Sequence, residues 1–82
     1  MTKARKALLR KLPEYNAGKR FAFRCHVSMS NLQICKYAWT RIAKKARRKI
    51  TRAHRDPLHA LFLGALEGHN DNRQLYKRVM QG

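Results

Sequence analysis

Acidic side chains are almost missing from this sequence. Four Asp and Glu stand among 82 residues, against twenty Lys and Arg, for a formal net charge of +16. Glu14, Asp56, Glu67 and Asp71 are scattered, and Asp56 and Asp71 read as helix caps rather than as a working carboxylate pair. No Gly-rich phosphate loop or nucleophile elbow accompanies them. The chain therefore reads as a non-enzyme, with no small-molecule substrate and no cofactor. Cysteine is scarce too. Cys25 and Cys35 read as reduced, buried thiols, with a disulfide between them as the alternative. Together with His54 and His59 they lack any short Cys-to-Cys arm, so no metal site is expected. Long apolar runs are also absent. The best stretch, Leu58 to Leu66, is about half of what a membrane span needs. No secretory signal is expected from the first residues, which lack an apolar core segment; low-complexity tracts are absent and 44% of residues are hydrophobic, so a fold is expected rather than a disordered tail. At this length it is one small domain, 1–82, with a modest core.

What is present is charge and helical periodicity. The expected class is mostly α, with an incomplete core that folds against partners. A short basic helix (1–12) starts at Lys3 with Thr2 as N-cap and stops at Pro13. Ala4, Leu8 and Leu12 lie on its inner face with Ala7 beside them. Residues 13–18 read as a connector. Across 19–27, Phe21, Phe23, Cys25 and Val27 alternate with Ala22, Arg24 and His26, the period of a strand or an extended segment. Ser30 and Gln33 form a capping box opening a long helix over 31–55. Its apolar stripe is Leu32, Cys35, Trp39, Ile42, Ala43, Ala46, Ile50 and Ala53. Asp56 and Pro57 then start an apolar helix over 57–67, with Gly68 as its stop. Leu58, Leu61, Phe62, Leu63 and Leu66 cover so much of its circumference that it reads as a contact element for neighbouring proteins. Asp71 and Gln74 open a last helix over 72–80, with Leu75, Val79 and Tyr76 inward.

The long helix carries the functional signal. Lys36, Arg41, Lys44, Lys45, Arg47, Arg48, Lys49, Arg52 and Arg55 all fall outside its apolar stripe, with no acid between Ile34 and Arg55. Like charges three or four positions apart on a helix repel by about 0.2–0.5 kcal/mol per pair. A face that served only to meet water would intersperse Glu. Bound phosphates would neutralise this one. Lys3, Arg5, Lys6, Arg10 and Lys11 on the first helix, with Lys19, Arg20 and Arg24 after it, extend the candidate surface. Phe21 and Phe23 read first as core residues and second as base-stacking platforms. An anionic membrane is a rival polyanion, but a stripe holding three alanines and a cysteine is a poor lipid-inserting face. RNA is preferred over DNA because no DNA-reading framework is visible.

These features, taken together over the whole chain, resemble small basic structural proteins of ribosomes. The resemblance is compositional: short length, extreme basicity, mixed extended and helical segments. It implies ribosomal RNA and neighbouring ribosomal proteins as partners. The acid-free, basic, amphipathic stretch Met1 to Leu12 is also similar to mitochondrial targeting segments. It favours a ribosome of the mitochondrial matrix over a cytoplasmic one. The alternatives are an accessory subunit of a mitochondrial membrane or respiratory complex, and a DNA-compacting basic protein. Two other likenesses are set aside. The single Cys25/Cys35 spacing lacks the second copy that helical-hairpin proteins use. Leu75-Tyr76-Lys77 resembles the tripeptide of LYR-type assembly proteins but stands too near the end of the sequence.

The uncompensated repulsion sums to about 1–3 kcal/mol, a large share of a small domain's stability. The isolated chain is therefore expected to be partly unfolded at low salt and to gain helix on addition of RNA or sulfate. Circular dichroism reads this directly. A full helical spectrum in dilute buffer, unchanged by either polyanion, would show that the core suffices alone.

Overall fold

A computed structural model describes residues 2–52 and 55–81. Helix accounts for 83% of it and no strand occurs among the described residues, so the mostly α class holds. Five helices follow one another: α1 (Lys3–Arg10), α2 (Pro13–Ala22), α3 (Asn31–Arg41), α4 (Lys44–Arg52) and α5 (Arg55–Gln81). Every other helix packs on α5.

The first helix begins as its N-cap demands. Thr2 Oγ1 accepts from the Arg5 N–H at 3.2 Å. The helix ends at Arg10, and Pro13 both stops it and opens α2 at its first position, where its missing N–H costs nothing. The inward face differs from the expected one. Leu9 is fully buried, while Leu8 is 54% exposed and Ala4 and Ala7 face solvent.

Residues 13–18 and 19–27 form no connector and no strand; most of that length is α2. The alternation of Phe21, Phe23, Cys25 and Val27 concealed a helical set, Tyr15, Gly18 and Ala22, all buried. This set seats α2 on α5 by direct backbone contact. A methyl group on Gly18 would collide with the Leu61 carbonyl, and one on Gly64 with the Tyr15 carbonyl. The register rises together along both chains, Tyr15 beside Gly64 and Lys19 beside Gly68, so α2 and α5 run parallel. Leu9, Tyr15, Ala60 and Leu63 form one core cluster, with Leu12 packed against it.

Gly68 is thus no helix stop. It sits inside α5 where Lys19 and Ala22 approach, and Asp71 and Gln74 lie mid-helix rather than at a cap. The apolar segment 57–67 turns inward: Leu61 and Leu63 are buried against α1 and α2, leaving Leu58, Phe62 and Leu66 half-buried. The two expected short helices are one of 27 residues. The last turns of α5 carry Leu75, Tyr76, Val79 and Met80, all exposed rather than inward.

After α2 the chain reverses through residues 23–30. The polar middle of α5 collects the carbonyls of this reversal. Asn72 donates to Cys25 O at 3.2 Å, Arg73 to Val27 O at 3.1 Å and to Met29 O at 2.7 Å. His69, fully buried, lies with Nε2 2.6 Å from Met29 O. The Ser30 and Gln33 capping box then starts α3 as expected. Ile34 and Ala38 face Ala65 in a second cluster, and the Trp39 ring meets Phe62 edge-on at 6.4 Å, so α3 runs antiparallel to α5. The buried residues are Ile34 and Ala38, not the stripe of Leu32 and Cys35; Leu32 is 66% exposed.

The expected continuous helix over 31–55 is broken at Ile42, whose backbone is extended (φ −71°, ψ 134°). Geometry requires the break. Trp39 lies level with Phe62, only about 10 Å along α5 from its start, whereas an unbroken helix would carry Arg55 about 24 Å further on. The chain must fold back to begin α5, and α4 is the return piece. Ala53, expected in the stripe, and His54 lie outside the described residues. No helix of the described residues is long and apolar enough to cross a membrane.

Replacing Gly64 by Ala should destabilise the chain, because overlap of the added methyl with the Tyr15 backbone costs about 3 kcal/mol or more, against the ~1 kcal/mol that Ala gains over Gly inside a helix. Gly68→Ala, whose added methyl would meet Lys19 O at 2.9 Å, should cost less. Urea denaturation of both variants ranks them, and equal stabilities would contradict the close approach.

Candidate nucleic-acid interface

The basic residues separate into two groups once the acids are located. Arg5 Nη2 donates to Asp56 Oδ1 at 2.7 Å and lies 3.0 Å from His59 Nδ1. Arg10 grips Glu67 with both ends of its fork, at 2.9 and 2.6 Å, and Tyr15 adds its hydroxyl to the same carboxylate at 2.8 Å. Lys19 lies 3.6 Å from Asp71. Three of the four acids therefore join α1 and α2 to α5. Arg5, Arg10 and Lys19, expected on the phosphate-binding surface, are each paired with an acid of α5. Sequence periodicity missed this because the partners are 51, 57 and 52 positions apart.

The Arg10 guanidinium, donating to Glu67, holds that carboxyl below the ordinary value of 4.5. Burial, together with the Glu67 carboxylate, pushes the Tyr15 phenol up. Burial also raises both thiols, so Cys25 and Cys35, which are unpaired, stay protonated at neutral pH.

The second group has no carboxylate. Helix α4 holds Lys44, Lys45, Arg47, Arg48, Lys49 and Arg52 within nine residues, with no acid in its first turn. Lys44, Lys45, Arg48, Lys49 and Arg52 share an arc of about 140° and together line one shallow groove. All five are exposed. Ala46 and Ile50 occupy the opposite side, half-buried. Arg47 lies at the edge, half-buried, its Nε without a hydrogen-bond partner among the described residues. Lys36 and Arg41 on α3 and Arg55 at the head of α5 are exposed as well. Lys3, Lys11, Arg20 and Arg24 are exposed on α1, α2 and the turn that follows, and Lys6 is half-buried.

The two phenylalanines part company. Phe21 packs against the Ile34, Ala38 and Ala65 cluster, whereas Phe23 is 45% exposed. An aromatic that sequence reasoning passed over, Tyr37, is 51% exposed on α3. Its spacing of four from both Gln33 and Arg41 was the available signal.

No family model, no curated protein and no solved structure matches this chain. The functional reading therefore rests on the residues themselves.

A test of the charge partition follows from Glu67. A carboxyl held below its ordinary value contributes stability that is complete above about pH 4.5 and is lost as pH falls through the lowered value. Glu67→Gln should therefore be less stable than the native chain at neutral pH, and the gap should close as pH falls through the lowered value. Thermal melts across that range measure it; a gap independent of pH would remove the Arg10–Glu67 pair from the account.

Proposed function

We propose that this chain is a non-catalytic, RNA-binding structural protein of a ribonucleoprotein particle, with α4 as its main phosphate-binding element. The carrying observation is the exposed face of Lys44, Lys45, Arg48, Lys49 and Arg52, free of carboxylates while three of the chain's four acids are engaged between α1, α2 and α5. Five cations on one face of two and a half turns repel one another at i, i+3 and i+4 spacing. Phosphates placed along that face replace the missing counter-charge and release their own condensed ions. A ribosome, by preference the mitochondrial one, supplies ribosomal RNA in this packed form together with protein neighbours for the exposed apolar residues of α5, Leu75, Tyr76, Val79 and Met80. An anionic bilayer fits less well. The side of α4 away from the cations offers only Ala46 and Ile50, too little apolar surface to anchor a helix in lipid.

The experiment is a salt titration of RNA binding. Lys44→Ala, Arg48→Ala and Arg52→Ala should each weaken binding by similar factors on unrelated RNA sequences. Each should also reduce the slope of log affinity against log salt by about 0.7–0.9. Arg10→Ala should lower stability and leave that slope unchanged. Slopes unaffected by the α4 substitutions would refute phosphate contact. Tighter binding to duplex DNA than to any RNA would assign the chain to DNA compaction, and binding to anionic vesicles that RNA fails to compete would assign it to a membrane complex.

A further inference from the structure

A second concave surface lies beside the phosphate-binding helix. It is a groove of about 670 Å³ between α3 and the end of α2 with its following turn. Gln33, Tyr37 and Arg41 form one wall, spaced by four residues and so stacked along a single face of α3. Phe21, Cys25 and Met29 supply the apolar side, backed by the buried Ile34, Ala38 and Ala65. Arg24 and His26, from the turn after α2, line it as well. No acidic side chain lines it.

Resting on the RNA-binding reading above, we propose that this groove seats an unpaired base of the bound RNA. The chemistry matches such a ligand part by part. The Tyr37 ring, half exposed, is a platform on which a base can stack, and the Phe21 and Met29 side covers the apolar edge of a nucleotide once it leaves water. Gln33 Oε1 is committed to the Ser30 N–H at 2.9 Å, which fixes the amide and leaves its two N–H donors for an acceptor on a base edge. Arg24 from the turn after α2 and Arg41 from the end of α3 both line the groove and serve as phosphate partners. Arg41 also closes α3, and Lys44 opens α4 three positions later, so the strand continues from the groove towards the α4 face. Paired bases are excluded, because in a duplex their faces are already stacked.

The test measures binding of the full chain by fluorescence anisotropy to three RNAs of equal length: an oligouridine strand, the same strand with abasic positions, and a duplex. The native chain should prefer the uridine strand to both others. Tyr37→Ala should lose about 5- to 100-fold on the uridine strand, little on the abasic strand or the duplex, and nothing in salt slope. Tyr37→Phe should restore the affinity. Gln33→Glu, which keeps an acceptor for Ser30, should also weaken the uridine strand selectively; circular dichroism confirms that each variant is folded. Equal affinity for uridine and abasic strands, or a Tyr37→Ala variant that binds the uridine strand normally, would overturn the inference. Polyglutamate competing as well as oligouridine would overturn it too, in favour of an acidic peptide. In any of these cases the α4 substitutions would still alter the salt slope if the phosphate reading is right. Failure of the native chain to bind any RNA would end both.

Discussion

The contact between the backbones of α2 and α5 governs what the other helices can do. Gly18 and Gly64 leave no room for a side chain between the two helices, and Ala60, fully buried, lies on the same side of α5 one turn before Gly64. Two helices this close bury peptide groups as well as side chains, and their parallel course leaves the end of α2 beside residues 68–72 of α5. The chain has to turn there. Its turn is irregular, so its carbonyls need partners from elsewhere, and Asn72, Arg73 and His69 supply them. From that anchored turn α3 can only run back down α5, and the return to Arg55 forces the bend at Ile42. The close approach that Gly18 and Gly64 allow between α2 and α5 thereby places the basic α4 segment between the end of α3 and the start of α5.

Charge is distributed along the same lines. Three of the four acids sit where α1 and α2 meet α5, each opposite one cation, and the Arg10–Glu67–Tyr15 triad is the best connected of these sites. Surface ion pairs contribute little singly, about 0–1 kcal/mol, so packing dominates and the pairs fix the register between helices far apart in sequence. Their larger effect is on what remains. With Asp56, Glu67 and Asp71 engaged, the cations of α3 and α4 keep their full field for an outside anion. The fold pairs its acids along the seams of α5 and leaves α4 as the segment where cations are most densely packed.

Much of this was legible where the signal is local. The Thr2 cap, the Ser30 and Gln33 capping box, the mostly helical class and the acid-free character of 36–55 are each carried by neighbouring residues. The failures share a cause. Gly68 reads as a helix stop because glycine usually ends helices, yet Gly64 and Gly68, with Ala60 before them, are spaced by four, the mark of close helix packing. Phe21, Phe23, Cys25 and Val27 alternate as in a strand, but Tyr15, Gly18 and Ala22 repeat as in a helix, and burial of the small residues decided the matter. The stripe on 31–55 was read from large residues such as Leu32, while Ala38, which allows closer approach, faces the core. Small side chains carried the tertiary information, and hydrophobicity alone undervalues them. The pairing of Arg5, Arg10 and Lys19 with acids more than fifty positions away could not be seen until α5 was known to be a single rod.

That rod comes after all four of its partners in the chain. Helices α1 to α4 have few contacts with one another and pack mainly on α5, so little of the core can form before the residues of α5 have been synthesised. During translation the preceding segment emerges as an unfolded polycation with its helices unsupported. The order of synthesis makes packing on α5 the last step, so that the final third of the chain decides when the preceding helices find their places.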